Sequence, residues 1–332
     1  MATKKWIYIS IISVIILLLA NTIFLYNIDT YNILTPKSKM YRNVPNQRVM
    51  ITKHILNVKN NYNALIFGSS RVGYINPFHI KSYRVYNMTY AEGLPHEHLL
   101  LIKLLLHKGM RLKHLLIGLD DISYQISFKE HQQQLGSKSY YLATGESKFI
   151  FYKDFFLHKV TKKDINQFKY KYITNTFLPK EFCNTLYYEI YDQKKVYMQK
   201  HKNTRTKKHI NDPKFQDPTR YDANYIKETL KDIQEIVDIS KKYNIDTKFI
   251  IVPMHKKTYE YTNKKRFYKF RKELAKITSY YDFAQPNEIN SNNIYWNETS
   301  HFTHEVGDMI INRIYDNNIS IKNFGIYVQK TN

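Results

Sequence analysis

The sequence predicts an α/β fold: a central parallel sheet covered by helices on both faces, a three-layer α/β/α arrangement, preceded by one transmembrane helix. Two observations predict it. From about residue 49 to 318, apart from 127–220, apolar strand-like runs alternate with helical stretches, and that alternation builds a parallel sheet with helices on its faces. Ahead of them, Trp6 to Tyr26 ("WIYISIISVIILLLANTIFLY") carries no charge and, at roughly 20 residues, can span a bilayer. The length of 332 residues suits one anchored domain with an insertion or two small domains, and 43% hydrophobic residues can supply a core.

The elements follow in order. Lys4 and Lys5 precede the apolar run, and Trp6, Tyr8 and Tyr26 stand near its ends, where aromatic rings favour the interface. A cleaved signal peptide has a shorter apolar core and a small-x-small cleavage site; no A-x-A follows here, so residues 1–26 read as a cytoplasmic tail and an uncleaved anchor. Lys37, Lys39, Arg42 and Arg48 lie beyond it, but long domains translocate largely regardless of such charges, so the large domain is placed outside. Residues 27–48, polar and holding Pro36 and Pro45, read as a stalk. Val49 to Asn60 is a short helix, Ala64–Phe67 a strand, and "GSSR" the turn after it. Tyr83–Tyr90 is a second strand, and "LPHEHLLLIKLLLHKG" a helix closed by Gly109. Leu112–Tyr124 gives a third strand. Residues 127–220, rich in Lys, Tyr, Phe, Gln and Asn, form a partly helical insertion covering one side of the domain. Ile226, Leu230, Ile233, Val237 and Ser240 share one helix face. Thr247–Pro253 is a buried strand, Lys264–Ile277 a basic helix and "YYDFAQPNEI" a short fifth strand. Val306, Met309, Ile310 and Ile314 mark the last helix, with Thr303 as N-cap. Residues 319–332 are left as a tail.

The net charge is +23. It reads as a generally lysine-rich surface, or as a surface for nucleic acid, anionic lipid headgroups or anionic envelope polymers; the anchor argues against nucleic acid. The single cysteine, Cys183, excludes an intrachain disulfide without fixing the compartment. One cysteine and scattered histidines give no zinc spacing, and neither G-x-G-x-x-G nor G-x-x-x-x-G-K occurs. No cofactor is expected.

In a parallel α/β sheet the ligand site lies beyond the carboxyl ends of the strands. That directs attention to Gly68–Arg71, Thr89–Gly93, Gly118–Asp121, Pro253–His255 and the loop before the last helix. In "IYWNETSHFTHEVGDMI", Glu298 stands three residues before His301. A loop there can fold back so that the carboxylate holds one imidazole nitrogen while the other faces a serine, the arrangement an activated serine needs. Arg71 either pairs with a carboxylate or faces water, His255 lines the pocket or is structural, and His96 and His98 read as structural.

These blocks resemble the SGNH/GDSL-type hydrolases, in particular the membrane-anchored bacterial branch with a G-S-S-R block. Gly68-Ser69-Ser70-Arg71 matches the GDSL turn, and Glu298-Thr299-Ser300-His301 the D-x-x-H block; "YNM", "IGLDD" and "YNIDTKFIIVPMH" fall where further blocks lie. The resemblance covers about residues 49–318, with 127–220 poorly matched. It implies a flavodoxin-like sheet, Ser70 as nucleophile, His301 as base, Glu298 as acid, and Ser69 bracing the turn. Three departures stand out. Glu298 replaces an aspartate. Asp120 sits near the place of an oxyanion-donating asparagine, so it points elsewhere, is protonated, or slows the enzyme. The second-block glycine is either Gly93 or a position taken by Thr89. The implied function is an extracytoplasmic serine acyl esterase or O-acyltransferase at the bacterial cell membrane, acting on an acylated envelope glycan or polymer, with a multispanning membrane acyltransferase as a candidate partner and no nucleic acid. The alternative is a non-catalytic envelope protein that keeps the fold and binds an anionic polymer or a membrane acyltransferase.

Overall fold

The apolar runs Ala64–Phe67 (β1) and His114–Leu119 (β3) are buried along their whole length. They lie side by side in parallel, Leu65 opposite Leu115 and Phe67 opposite Ile117. Strands covered on both faces carry continuous apolar runs instead of alternation, which is why "ALIF" and "HLLIGL" can sit at a sheet's centre. The computed structural model describes residues 2–34, 45–176, 223–316 and 321–331. In it these two strands belong to a six-stranded sheet with the order β2 (Val85–Asn87), β1, β3, β4 (Asp246–Ile251), β5 (Tyr280–Asp282) and β8 (Ile326–Val328). All neighbours are parallel except β5 and β8. The order 2-1-3-4-5 is that of a doubly wound sheet, with its switch point between β1 and β3.

The strands are shorter than the sequence suggests. The second stops at Asn87 and the third at Leu119, with Ile122–Tyr124 forming a 3-10 turn. Asp120 causes that break: its Oδ1 accepts the N–H of Ser123 at 3.2 Å, closing a turn in place of the ladder. The fourth ends at Ile251. The tail assigned to 319–332 is corrected, because it contains β8, which pairs antiparallel with β5, Tyr281 opposite Tyr327.

The chain divides into two compact units, one from Met1–Lys53 with His131–Leu186 and the other from His54–Glu130 with Tyr187–Asn332. In the first, α1 (Ala2–Ile28) holds a stretch, Lys4–Ile28, whose most apolar 18 residues have a mean hydropathy of 2.5 and are not buried by the rest of the chain, while Leu25 and Ile28 at its carboxyl end are buried. It is long and apolar enough to cross a membrane. The reading of 27–48 as a stalk needs correction where the structure describes it. Asp29 accepts the N–H groups of Ile33 and Leu34, at 2.9 and 2.8 Å. Asn46 Nδ2 donates to the carbonyls of Leu135 and Lys138, both at 2.8 Å. Buried polar groups with such partners fix a segment in place. Pro36, Lys37, Lys39 and Arg42 lie outside the described residues.

The described part of 127–220 is helical: α4 (Phe128–Gln133), α5 (Tyr141–Thr144), α6 (Lys148–Phe156) and α7 (Lys162–Phe168), which runs on into a π turn, Lys169–Ile173. The sequence makes this segment a cover for the α/β domain. From His131 its described residues belong instead to the unit built on α1, through ring contacts such as Tyr26 with Phe156 and Phe24 with Phe168. Residues 177–222, with Cys183 among them, lie outside the described residues.

In the second unit, helices flank the sheet. α3 (Pro95–His107) starts on a proline and is capped by Glu97, which accepts the N–H of Leu94 at 3.1 Å. α8 (Ile226–Lys242) buries Ile226, Ile233, Val237 and Ser240 along one face. α10 (Lys264–Ile277) is capped by Asn263 and buries Phe267, Phe270 and Leu274. α12 (His304–Tyr315) buries Val306, Ile310, Ile311 and Ile314. Thr303 holds its N-cap position, but its hydroxyl makes no capping bond. α2 (Gln47–Val58) precedes β1.

α12 can approach the turn after β1 only because residue 307 is glycine: a Cβ there would lie 2.2 Å from the Tyr74 carbonyl oxygen. Overpacking of this kind costs about 1–3 kcal/mol. Gly307→Ala is therefore expected to lower the unfolding free energy by about that amount in denaturant titration, about 1–3 kcal/mol.

Candidate active site

Ser69, Ser70 and Arg71 leave the carboxyl end of β1 at the switch point. The N–H of Val72 donates to the Ser69 carbonyl at 3.0 Å and that of Gly73 to the Ser70 carbonyl at 3.1 Å, so the chain turns at once into a 3-10 helix, Val72–Tyr74. Ser69 and Arg71 are buried while Ser70 between them is half-buried. Ser69 Oγ donates to Asp120 Oδ2 at 2.6 Å, and Arg71 Nη1 reaches Asp121 Oδ1 at 2.5 Å and Asp120 Oδ2 at 3.4 Å. Of the two roles open to Arg71, the structure takes the carboxylate pair. Of the three open to Asp120, it takes the first: the carboxylate points at Ser69 and Arg71.

His301 and Glu298 come from a segment expected to be a loop. It is a hairpin of β6 (Trp296–Glu298) and β7 (His301–Phe302), with Glu298 directly opposite His301 across a turn of two residues. Strands of three and two residues are too short to show alternation, so the sequence gives no sign of them. The hairpin is pinned by the buried Phe302, by Trp296 Nε1 donating to the Ile289 carbonyl at 2.9 Å, and by Thr258 Oγ1 donating to the Thr299 carbonyl at 2.6 Å. Thr258 lies on α9 (Lys256–Tyr261); forty-one residues separate it from Thr299, and nothing in either residue's neighbourhood announces the contact.

The three side chains form a continuous chain of hydrogen bonds. Ser70 Oγ lies 2.8 Å from His301 Nε2, His301 Nδ1 is bonded to Glu298 Oε1, and Glu298 Oε2 accepts the Ser300 N–H at 2.7 Å. Glu298 thus fixes Nδ1 as the protonated nitrogen and leaves the Nε2 lone pair facing the serine hydroxyl. The extra methylene of glutamate is absorbed by the cross-strand register. The Tyr74 ring lies 5.5 Å from that of His301 and 4.9 Å from that of His304, a wall that the sequence reading misses.

Burial alone would push the Glu298 carboxyl up, but the His301 bond and charge, the Ser300 N–H and Arg71 outweigh it and hold Glu298 below the usual range. Burial would lower Arg71; Asp121 and Asp120 more than reverse that. Burial raises Asp120, against the pull of Arg71, Ser69 and the Ser123 N–H.

The remaining predicted residues are distributed as follows. Thr89 is buried, and both its N–H and its hydroxyl donate to Asn87 Oδ1, at 3.1 and 2.7 Å. Its N–H is thereby committed inside the fold. Gly93 is packed on the serine turn: a Cβ there would lie 2.3 Å from the Gly68 carbonyl oxygen. His255 is buried, with Nε2 2.8 Å from Asn293 Oδ1 and Nδ1 accepting the Lys257 N–H that starts α9; burial lowers its pKa, partly offset by Asn293. It braces the hairpin's surroundings, its ring edge-on to Trp296 at 5.2 Å. His96 pairs with Asp232, and His98 is buried beside Phe67. Among the described residues no group of three or more His, Cys, Asp or Glu is placed to hold a metal ion. A groove of about 580 Å³ at the amino ends of β4 and β5, between Lys248, Tyr281 and Lys330, contains none of the three.

The arrangement suits nucleophilic catalysis: an accessible hydroxyl, a base in reach, and an acid orienting the base. Removing Arg71 strands two buried carboxylates, so Arg71→Met is expected to cost about 3–5 kcal/mol in denaturant unfolding. Glu298 sits below its usual pKa, so its ionised form stabilises the fold above the unfolded value of about 4.3, and this is lost as pH falls through the lower folded value. Glu298→Gln should lower stability at neutral pH, and stepped-pH denaturation should show the difference from wild type shrinking below about pH 4.

Neither a scan against protein-family models nor a search of curated proteins finds a match to this chain.

Proposed function

We propose that the chain is a membrane-anchored serine acyl esterase or O-acyltransferase of the SGNH/GDSL type. The observation that carries this reading is the 2.8 Å contact between Ser70 Oγ and His301 Nε2, with Glu298 behind the imidazole. The strand order, with the serine at the switch point, adds support.

His301 Nε2 takes the Ser70 proton as Oγ attacks an ester carbonyl. An Oγ–C bond forms and the carbonyl oxygen becomes an oxyanion. The backbone N–H of Ser70 is one candidate donor to it; Gly93, rather than Thr89, is the candidate for a second, since the Thr89 N–H is already engaged. The tetrahedral species collapses, the ester C–O bond breaks, and the leaving alkoxide takes the proton back from His301. Water, or a sugar or polyol hydroxyl, then gives its proton to His301 and attacks the acyl-serine; the Oγ–C bond breaks, Ser70 Oγ takes that proton from His301, and acid or a new ester is released. Glu298 stays ionised throughout and stabilises the imidazolium. With α1 as a single-pass anchor, the domain lies outside the cytoplasm, and its basic surface suits an acylated, anionic envelope glycan or polymer, taken alone or with a multispanning acyltransferase.

The test is labelling of the full chain in detergent by a fluorophosphonate probe. Wild type is expected to react, and Ser70→Ala and His301→Ala to lose at least about 10³-fold in rate. A folded wild-type protein that stays unlabelled would move the reading to a non-catalytic envelope protein that binds an anionic polymer or a membrane acyltransferase.

A further inference from the structure

Helices that face water hide apolar side chains and display polar ones. α7 and its π turn do the reverse. Asp164 and Gln167 are fully buried, at 0% exposure, while Ile165 (57%), Phe168 (37%), Tyr172 (53%) and Ile173 (67%) face outward. The spacing of Ile165, Phe168 and Tyr172 sets them along one stripe. The inner polar residues are committed to the unit's interior. Asp164 accepts from Thr30 Oγ1 at 2.6 Å and from the Thr161 N–H at 2.7 Å, and Gln167 Nε2 donates to the Asp29 carbonyl at 3.4 Å. The polar side is used for folding and the apolar side is left outside, an arrangement costly in water but not against hydrocarbon.

Contacts within the same unit fix the height of this surface along α1. Asn21 Nδ2 donates to the His158 carbonyl at 3.1 Å, the Phe24 and Phe168 rings are 5.8 Å apart, and Lys171 Nζ reaches the Asn27 carbonyl. Residues 21–27 form the last two turns of an apolar helix whose exposed side chains, Leu17 and Ile23 among them, are as outward-facing as those of α7. Leu157, beside His158, is also exposed, and so are Lys159, Lys162 and Lys169. Lysines so placed can lay their stems on apolar surface and reach lipid phosphates with the ammonium group.

We infer that this face of the α1 unit is seated in the bilayer interface. Ile165, Phe168, Tyr172 and Ile173 enter the upper acyl region of the leaflet that α1 leaves, and the lysines rest on the phosphate layer. The inference rests on α1 spanning the bilayer. Continuity with the exposed flank of α1 selects lipid as the occupant over a protein.

The test uses the full chain in phosphatidylcholine–phosphatidylglycerol nanodiscs. In a Cys183→Ser background, an environment-sensitive fluorophore is placed on Leu17→Cys, Ile165→Cys or Ile173→Cys, and quenching is measured with aqueous iodide and with lipid nitroxides, one in the middle of the acyl chain for residue 17 and one near the headgroup for residues 165 and 173. At residues 165 and 173 the lipid nitroxide is expected to quench, and iodide to quench about threefold or more weakly than for the same fluorophore on glutathione. If residue 17 is lipid-quenched while residues 165 and 173 are freely open to iodide, the span stands and the interfacial seat is wrong. If residue 17 is not lipid-quenched, the span itself fails and the seat falls with it. Protection from both quenchers at 165 and 173 would overturn the inference in favour of a protein cover.

Discussion

A guanidinium taken out of water has to be met by carboxylates, and in this chain that requirement sets the direction of three consecutive side chains. Arg71 is drawn inward by Asp120 and Asp121 at the end of β3, and Ser69 is drawn inward by the same Asp120. With both flanking residues committed to the interior, Ser70 is left facing out at the switch point of the sheet. The ion cluster also ties the ends of the two central strands together. The cost of burying these charges is offset only while all members are present, so the geometry around the serine depends on the whole cluster.

The second half of the site is held by a different kind of force. The β6–β7 hairpin has little backbone pairing of its own; its position comes from Phe302 and Trp296 in the core and from Thr258 gripping the turn. Glu298 and His301 meet because they are cross-strand partners, so the orientation of the imidazole is set by strand register. α12 then follows directly, with Gly307 allowing it to close on Tyr74 and bring the hairpin against the serine turn. Ionic pairing on one side and apolar packing on the other place two atoms 2.8 Å apart.

Much of this was legible in the residues. Apolar runs such as "ALIF" and "FII", and the spacing of Ile226, Ile233 and Val237, mark buried strands and a one-sided helix whatever their partners are. The serine pair after β1 and the Glu298–His301 spacing could be singled out because chemistry restricts which residue types do that work, while the choice of Ser70 over Ser69 came from the family resemblance. Other features depend on distant partners and leave no local trace. The path of Asp120 is decided by Arg71 and Ser69, fifty residues away. Thr258 carries no mark of its bond to Thr299, and "IYV" is too short to announce an edge strand. The grouping of residues 131–176 with α1 escaped notice for another reason. Periodicity assumes that apolar residues point inward, and α7 turns that assumption around.

The two halves of the site are 231 residues apart in the chain. Loop closure over such a distance is paid for before any contact rewards it, and non-local contacts of this kind form late. A growing chain therefore carries Ser70 long before it carries His301, and β1 and β3 are complete while the hairpin has yet to be made. Until then the serine hydroxyl has no imidazole beside it. The contact waits for residues 298–301, so a molecule cut short before them has Ser70 without its hydrogen-bond partner.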